Sequence, residues 1–410
     1  MIGVHSGKYH AERITERIRD ASIRLGVEHP TVNDRQFRVW RSYAVSVWPT
    51  LAVVDPNGYV VGTRAGEFTA EMLAPFIAAI AEKAESEGAL NRDVMKIIPD
   101  SPTVLPGQLR YPGKVAVKGN RIAIADSGNH RVLIGTLAPD GLRMIVERIA
   151  GTGNRGFENG TYASFDSPQG MAFGDDTLYV ADSDNHAIRA IDLSSGKVST
   201  VAGTGTQLRT RADLEEGALS SPWDLVLVDR VLYIVMAGVH QIWTQEIASG
   251  QLQVHAGTGG EDIRDGPGRD ALLAQPMGIT EGSGRLYFAD AESSAIRWTE
   301  REVTANTGTI VGTGLFDFGD VDGRADDVRM QHPQGIAFAD DGRLLVADSY
   351  NDALKWVDPA TRSATAWIRG LNEPGGVACG HDHAYVADTN AHRVVAVNYK
   401  TDTITPLTLE

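Results

Sequence analysis

Residues 168–202 read PQGMAFGDDTLYVADSDNHAIRAIDLSSGKVSTVA and contain the clearest secondary-structure pattern of the chain. Four short segments rich in branched and aromatic side chains lie at 170–173, 178–181, 187–191 and 198–202. Turn-forming pairs such as Asp175-Asp176 and Ser195-Gly196 separate the segments. This pattern predicts four antiparallel strands joined by tight turns.

The same pattern recurs six times along the chain. Each unit begins with a proline, at Pro112, Pro168, Pro222, Pro276, Pro333 and Pro374. A second recurrent position follows fourteen residues later, or fifteen in the fifth unit, and holds Asp126, Asp182, Met236, Asp290, Asp348 and Asp388. A unit of four antiparallel strands is one blade of a β-propeller, and six is a common number for a closed ring. A solenoid of stacked hairpins is the alternative.

The turn after the second strand carries the most specific motif. Residues 126–130 read DSGNH and residues 182–186 read DSDNH, whereas the third unit keeps only His240 of the three polar positions. The motif resembles the NHL repeat family, which implies a mostly β fold with a six-bladed NHL-type β-propeller over residues 106–410. We interpret the Asp as an acceptor for N–H groups of the following turn and the Asn as the left-handed residue. An isolated His at a strand start is a weak metal signal, so we predict no metal site.

Long connections join most of the units. Four contain a Gly-Thr-Gly run, at 151–153, 203–205, 257–259 and 312–314. A phosphate-binding loop would need a lysine after the glycines and a helix behind it, and neither is present. Strand alternation places these connections on the same face as the turn after the second strand. We expect a partner to bind this loop-rich face.

The first ninety residues have a different pattern. Apolar spacing predicts helices over 10–25 and 35–44, and a final helix over 69–87. Between them, residues 48–62 read WPTLAVVDPNGYVVG, a strand, a tight turn and a second strand. This order resembles the second half of a thioredoxin-like domain. The resemblance implies a partial α/β thioredoxin-like domain at 1–90 and a linker at 91–105. It also implies a cis bond before Pro49 and a peptide-binding backbone at Trp48.

The departures from that family concern the redox centre. The resemblance implies a Cys-x-x-Cys turn upstream of residues 1–5, yet Cys379 is the single cysteine of the chain. Thiol–disulfide exchange needs a thiolate nucleophile, so we expect no such oxidoreductase activity. The strand at 2–4 would lack a neighbour, and we therefore expect a longer protein with an upstream strand, turn and helix.

Charge and composition restrict the partners. The chain has 38 Lys and Arg against 53 Asp and Glu, a formal net charge of −15. Without a basic patch, such a chain does not bind nucleic acid or an anionic membrane. The single cysteine excludes an internal disulfide and, with no signal-like start, predicts a cytoplasmic protein.

The sequence therefore favours a non-enzymatic binding or scaffold protein without a cofactor. Its partner would be a protein or peptide, or a polar small molecule at the tunnel mouth. The candidate ligand-binding residues flank the recurrent prolines: Trp223, Asp224, His332, Gln334 and Glu373. The alternative is a propeller enzyme of the metal-assisted lactonase or lyase type, with its site at the central tunnel. RNA binding, known for some NHL proteins, is disfavoured by the acidic charge.

Overall fold

The computed structural model describes residues 1–66, 68–93, 109–302 and 306–410. The chain divides into two compact units, Met1–Thr103 and Val104–Glu410. Most of the predicted linker at 91–105 lies outside the described residues. None of the described helices combines the length and the apolar character that crossing a bilayer requires.

The described part of the first unit contains helices and two separate strand pairs. In chain order these are β1 (Gly3–His5), α1 (Thr15–Arg24), β2 (Thr31–Asn33), α2 (Arg38–Ser42), β3 (Thr50–Val54), β4 (Val60–Ala65) and α3 (Ala70–Ser86). β1 and β2 run parallel, and β3 and β4 form an antiparallel hairpin. β2 pairs with one edge of the first strand, a neighbour that the sequence analysis did not predict. Three residues are too few for periodicity to reveal such a strand.

Asp34 determines where α2 begins. Its carboxylate accepts the backbone N–H groups of Arg38, Val39 and Trp40 at 2.7, 3.2 and 2.9 Å, and the Ser6 hydroxyl at 3.0 Å. A carboxylate at this position satisfies the donors that a helix start leaves without partners. The helix is accordingly shorter than the predicted 35–44.

The second unit is the six-bladed propeller. Blade 1 contains β5 (Val115–Lys118), β6 (Arg121–Asp126), β7 (Arg131–Leu137) and β8 (Arg143–Ala150). Blade 2 contains β9 (Pro168–Phe173), β10 (Thr177–Asp182), β11 (Ala187–Asp192) and β12 (Val198–Ala202). Blade 3 contains β13 (Pro222–Val228), β14 (Val231–Met236), β15 (Gln241–Glu246) and β16 (Leu252–Ala256). A short helix, α4 (Arg211–Glu215), lies in the connection between blades 2 and 3. The four strands predicted for residues 168–202 are confirmed.

Blades 4 and 5 carry a short additional strand at the outer edge. Blade 4 contains the additional strand β17 (Gly266–Pro267), then β18 (Pro276–Gly282), β19 (Arg285–Asp290), β20 (Ala295–Glu300) and β21 (Asn306–Val311). Blade 5 contains the additional strand β22 (Gly323–Arg324), then β23 (Gly335–Phe338), β24 (Leu344–Asp348), β25 (Ala353–Asp358) and β26 (Ser363–Arg369). Blade 6 contains β27 (Pro374–Cys379), β28 (His383–Asp388), β29 (Arg393–Asn398) and β30 (Ile404–Pro406). Finally, β31 (Thr408–Leu409) pairs in parallel with β8 of blade 1.

The core lies between the blades. The first strands pack in a ring, in the order β5, β9, β13, β18, β23, β27 and back to β5. Each pair of neighbouring blades buries its own apolar cluster, including the pair formed by blades 6 and 1. Burial of this apolar surface is the main term that holds the ring closed.

Candidate functional site

The recurrent carboxylate at the end of the second strand fixes the entrance of its own blade. It accepts a backbone N–H sixteen or seventeen residues upstream: Arg110 to Asp126 (2.7 Å), Asp166 to Asp182 (2.7 Å), Ala274 to Asp290 (2.8 Å), Gln331 to Asp348 (2.7 Å) and Asn372 to Asp388 (2.6 Å). The prediction that it accepts N–H groups of the following turn was wrong. The turn instead supplies the Asn side chain, as with Asn185 Nδ2 on Asp182 at 2.9 Å.

The histidine position links each blade to the next. Its side chain accepts the N–H of the residue before the next recurrent proline: Ser167 to His130 (3.2 Å), Ser221 to His186 (3.0 Å), Gln275 to His240 (3.1 Å), His332 to Ser294 (3.3 Å), Glu373 to Asp352 (2.9 Å) and Tyr111 to His392 (3.1 Å). All twelve residues have a left-handed φ between +45° and +55°. We call this contact the latch. The left-handed residue is therefore the one at the histidine position, not the Asn.

Where the latch acceptor is a histidine, its ring must be neutral. A ring nitrogen that accepts an amide N–H must carry a lone pair, so His130 Nδ1 is unprotonated. Burial, together with the nearby Arg155, lowers the pKa of His130 to about 4. Asp166 Oδ1 lies 3.3 Å from the same nitrogen, and at neutral pH this contact is not an ion pair.

A lysine spans the tunnel axis. Lys114 Nζ of blade 1 lies 3.4 Å from Asp224 Oδ2 of blade 3 and donates to the carbonyls of Met277 (2.9 Å) and Gln334. Three acceptors around one nitrogen are the arrangement of an ammonium group. Burial lowers the pKa of Lys114 and raises that of Asp224, whereas their mutual attraction opposes both shifts. The four contributing blades are thus tied at the axis.

The structure brings some of the predicted site residues together. Asp224 lines a tunnel cavity of about 390 Å³. Gln334 contributes its carbonyl to Lys114, and its side chain lies 3.3 Å from His332 Nδ1. The His332 ring stacks on Tyr350 at 4.5 Å. The predicted ligand contacts of these three residues stay predictions.

The other two predicted tunnel-mouth residues have their own neighbours. Trp223 packs beside Ala237 and Met277. Glu373 accepts Asn390 Nδ2 at 2.7 Å, and its N–H forms the latch described above. Because the latch uses only the backbone of the residue before the proline, side chains at that position can vary without changing it.

The predicted peptide-binding loop of the first unit has defined surroundings. The Trp48–Pro49 bond is cis. Trp48 donates from Nε1 to the Ser6 carbonyl at 2.8 Å and packs against Trp40 at 4.5 Å. Its side chain is nevertheless 44% exposed.

A groove that the sequence analysis missed lies between blades 5 and 6. It encloses about 500 Å³ and adjoins the tunnel cavity, with Val117, Phe338 and Cys379 lining both. Turns between first and second strands line it, so it opens on the face opposite the loop-rich one. Burial raises the pKa of Cys379 to about 11, which keeps the thiol protonated and weakly nucleophilic at neutral pH.

Three aromatic rings form one wall of the groove. Trp356 and Trp367 lie 5.3 Å apart, and Trp367 stacks on Tyr399 at 5.7 Å. The Arg343 guanidinium covers Trp356 at 4.3 Å and binds Asp341 through Nε and Nη2, at 2.8 and 2.6 Å. We call this set the aromatic wall. No signal in the sequence pointed to it, because the last two units hold six aromatic residues whereas the third and fourth units hold eight.

Comparison with known proteins agrees with this architecture. The NHL repeat family model matches residues 109–134, 165–191 and 330–356, in blades 1, 2 and 5. The chain carries NHL repeats. The propeller is also similar to a structural genomics protein of unknown function from Bacteroides thetaiotaomicron, with a TM-score of 0.52 at 12% identity. That match covers 72% of this chain and 71% of the other, and it shows the fold alone.

The similarity to two curated relatives extends over the chain beyond its NHL repeats. NHL repeat-containing protein 2 of Bos taurus is 35% identical over 98% of this chain and 62% of its own length. Protein SUPPRESSOR OF QUENCHING 1, chloroplastic, of Arabidopsis thaliana is 34% identical over 95% of this chain and 40% of its own length. The chain thus spans less than two-thirds of either relative. It is an NHL propeller protein related to NHL repeat-containing protein 2.

Proposed function

We propose that this chain is a binding or scaffold protein whose propeller holds a segment of a protein or peptide partner. The groove between blades 5 and 6 carries this proposal. Its volume of about 500 Å³ falls in the range of ligand-binding clefts, and its wall presents the aromatic residues that dominate binding energy at interfaces. The tunnel supports the same view, since Lys114 pairs with Asp224 there and donates to the carbonyls of Met277 and Gln334.

The first unit would provide a second binding element. In the proposed thioredoxin-like interpretation, the exposed Trp48 and the neighbouring strand β3 face an extended peptide. The cytoplasmic location predicted from the sequence remains part of this proposal. The plant relative, in contrast, is named as a chloroplastic protein.

The test is a selection of random peptides on the full chain, followed by fluorescence anisotropy with individual peptides. We expect Trp367→Ala to weaken the selected peptides about tenfold, the usual loss for an aromatic anchor. Trp298→Ala is the matched control, because Trp298 of blade 4 also carries an arginine on its ring, Arg285 at 4.3 Å, but lies outside the groove. Failure to select any peptide, or equal losses in both variants, would overturn the proposal.

The competing enzyme function has its own measurement. Calorimetric titration with Ca²⁺, Mg²⁺ and Zn²⁺ compares the parent with a variant carrying His332→Ala and Glu373→Gln. Tight metal binding that the variant loses would favour a metal-assisted reaction at the tunnel mouth. Peptide binding without such a difference would favour the binding protein.

A further inference from the structure

We propose that the groove between blades 5 and 6 recognises an arginine side chain of an extended, basic peptide segment, which rests on the binding function proposed above. The aromatic wall and the carboxylate of Asp340 would hold this side chain. The positive charge of a basic peptide complements the charge of this protein. The chain itself carries a net charge of −15.

The protein already shows how this groove holds a guanidinium group. Arg343 lies flat over the Trp356 ring while Asp341 accepts two of its N–H groups. An aromatic face and a carboxylate together are a recurrent site for arginine, because the ring attracts the cation and the carboxylate matches its paired donors. This internal pair occupies one end of the wall.

A second carboxylate and a second aromatic surface lie beside the first pair. Asp340 lines the groove and is exposed. Within the described ranges its carboxylate makes no hydrogen bond or ion pair. It is close enough to Cys379 and Tyr399 to help raise the pKa of both groups, which places its charge near the aromatic wall. Trp367 and Tyr399 continue that wall beyond Trp356.

Blade 4 shows that this combination is local. It repeats the arginine on the tryptophan, with Arg285 over Trp298. There the strand position that corresponds to Trp367 holds Ile310, which is 3% exposed and packs in the core between blades 4 and 5. The extended wall is therefore a property of blades 5 and 6, not of the repeat.

Labelled peptides on the full chain test the inference. A Gly-Ser peptide with two arginines is compared with the same peptide carrying citrulline, which keeps the planar shape and loses the charge. We expect the arginine peptide to bind about fivefold more tightly, and its affinity to fall as salt increases. Asp340→Asn should weaken the arginine peptide about two- to fivefold.

Asp176→Asn provides the matched control. Asp176 is an exposed carboxylate in the corresponding turn of blade 2, so its removal changes the net charge equally. Equal losses in Asp340→Asn and Asp176→Asn, or equal affinities of the arginine and citrulline peptides, would overturn the inference. If library peptides still require Trp367 in that case, the binding function stands and only the arginine specificity fails. No peptide binding of any kind would overturn both.

Discussion

Blades 2 and 3 differ in the residues that fill two equivalent buried positions, which hold an ion pair in blade 2 and apolar side chains in blade 3. In blade 2, Asp182 and Arg189 form an ion pair with an Nη1–Oδ2 distance of 2.7 Å, and both side chains are fully buried. In blade 3 the same positions hold Met236 and Trp243, at 0% and 4% exposure. Since both blades have four strands and similar packing, the fold does not require the charge pair. A buried ion pair is often replaceable by apolar residues, provided that both members change together.

The ion pair instead correlates with the connection that enters the blade. Arg189 also donates to Asn159 Oδ1 at 2.9 Å, and Arg297 of blade 4 bonds Asp265 at 3.1 Å in the same way. In blade 5, Lys355 bonds Asp322 at 3.0 Å. These bonds hold the incoming segment against the outer strand. The connection into blade 3 forms its own helix, α4, closed by a capping box between Thr210 and Asp213.

Breaking the pair on one side should produce the largest effect. Arg189→Met leaves the Asp182 carboxylate buried without its counter-charge, and we expect the free energy of unfolding to fall by about 3–5 kcal/mol. Urea titration of the full chain measures this. Arg211→Met is the control, because Arg211 pairs with Glu215 on α4 and both side chains are exposed, at 90% and 68%; its loss should cost about 1 kcal/mol or less. A similar cost for both variants would contradict the role given to burial.

Converting blade 2 to the chemistry of blade 3 should cost less than the single change. We expect Asp182→Met combined with Arg189→Leu to lose about 1–3 kcal/mol, mainly because the Asp166 N–H loses its acceptor. A double-mutant cycle with Asp182→Met and Arg189→Leu as single variants measures the coupling. Strictly additive losses would show that the two side chains do not act as a pair.

The latch, shared by both blades, should give a smaller and uniform effect. His186→Ala and His240→Ala each remove an acceptor for a backbone N–H at the entrance of the next blade, for a cost of about 1 kcal/mol. His186→Ser, which copies Ser294 of blade 4, should retain part of this energy. Unfolding midpoints at pH 8 provide the comparison, and a much larger loss at one site would show that the latch is not equivalent between blades.

Acid should weaken the His130 latch by a still smaller amount. Because the folded pKa is lowered from the usual 6.5 to about 4, the unfolded chain takes up the proton first. The stabilisation by His130 is complete above about pH 6.5 and is lost as the pH falls towards 4. A shift of this size would give about 3 kcal/mol in full burial, but the ring is partly exposed and solvent screens it. We therefore expect the difference in unfolding free energy between the parent and His130→Ser to shrink by about 1 kcal/mol or less over this window. A constant difference would mean that the pKa of His130 is the same in the folded and unfolded states.

The repeat made the fold predictable, because the spacing from proline to carboxylate lies within one blade. The latch was not predictable in this way, since His186 and Ser221 belong to different blades and only packing brings them together. The direction of the carboxylate bonds was mistaken because the donor N–H lies upstream of the first strand, and only the pairing of the first two strands brings it beside the carboxylate. The aromatic wall combines two strands of blade 5 with the end of β29, and each residue alone reads as an ordinary strand residue. Whether the predicted tunnel-mouth residues bind a ligand depends on side chains that no repeat pattern describes.

Closure of the ring joins residues that are far apart in the chain. Tyr111 bonds His392 across 281 positions, and Thr389 donates to the Pro112 carbonyl across 277. During synthesis, blade 1 therefore leaves the ribosome with one apolar flank uncovered and waits for blade 6. Such distant pairing slows folding and prolongs the exposure of apolar surface that is prone to aggregation. In a cell, the nascent arc of blades is the species that chaperones would meet.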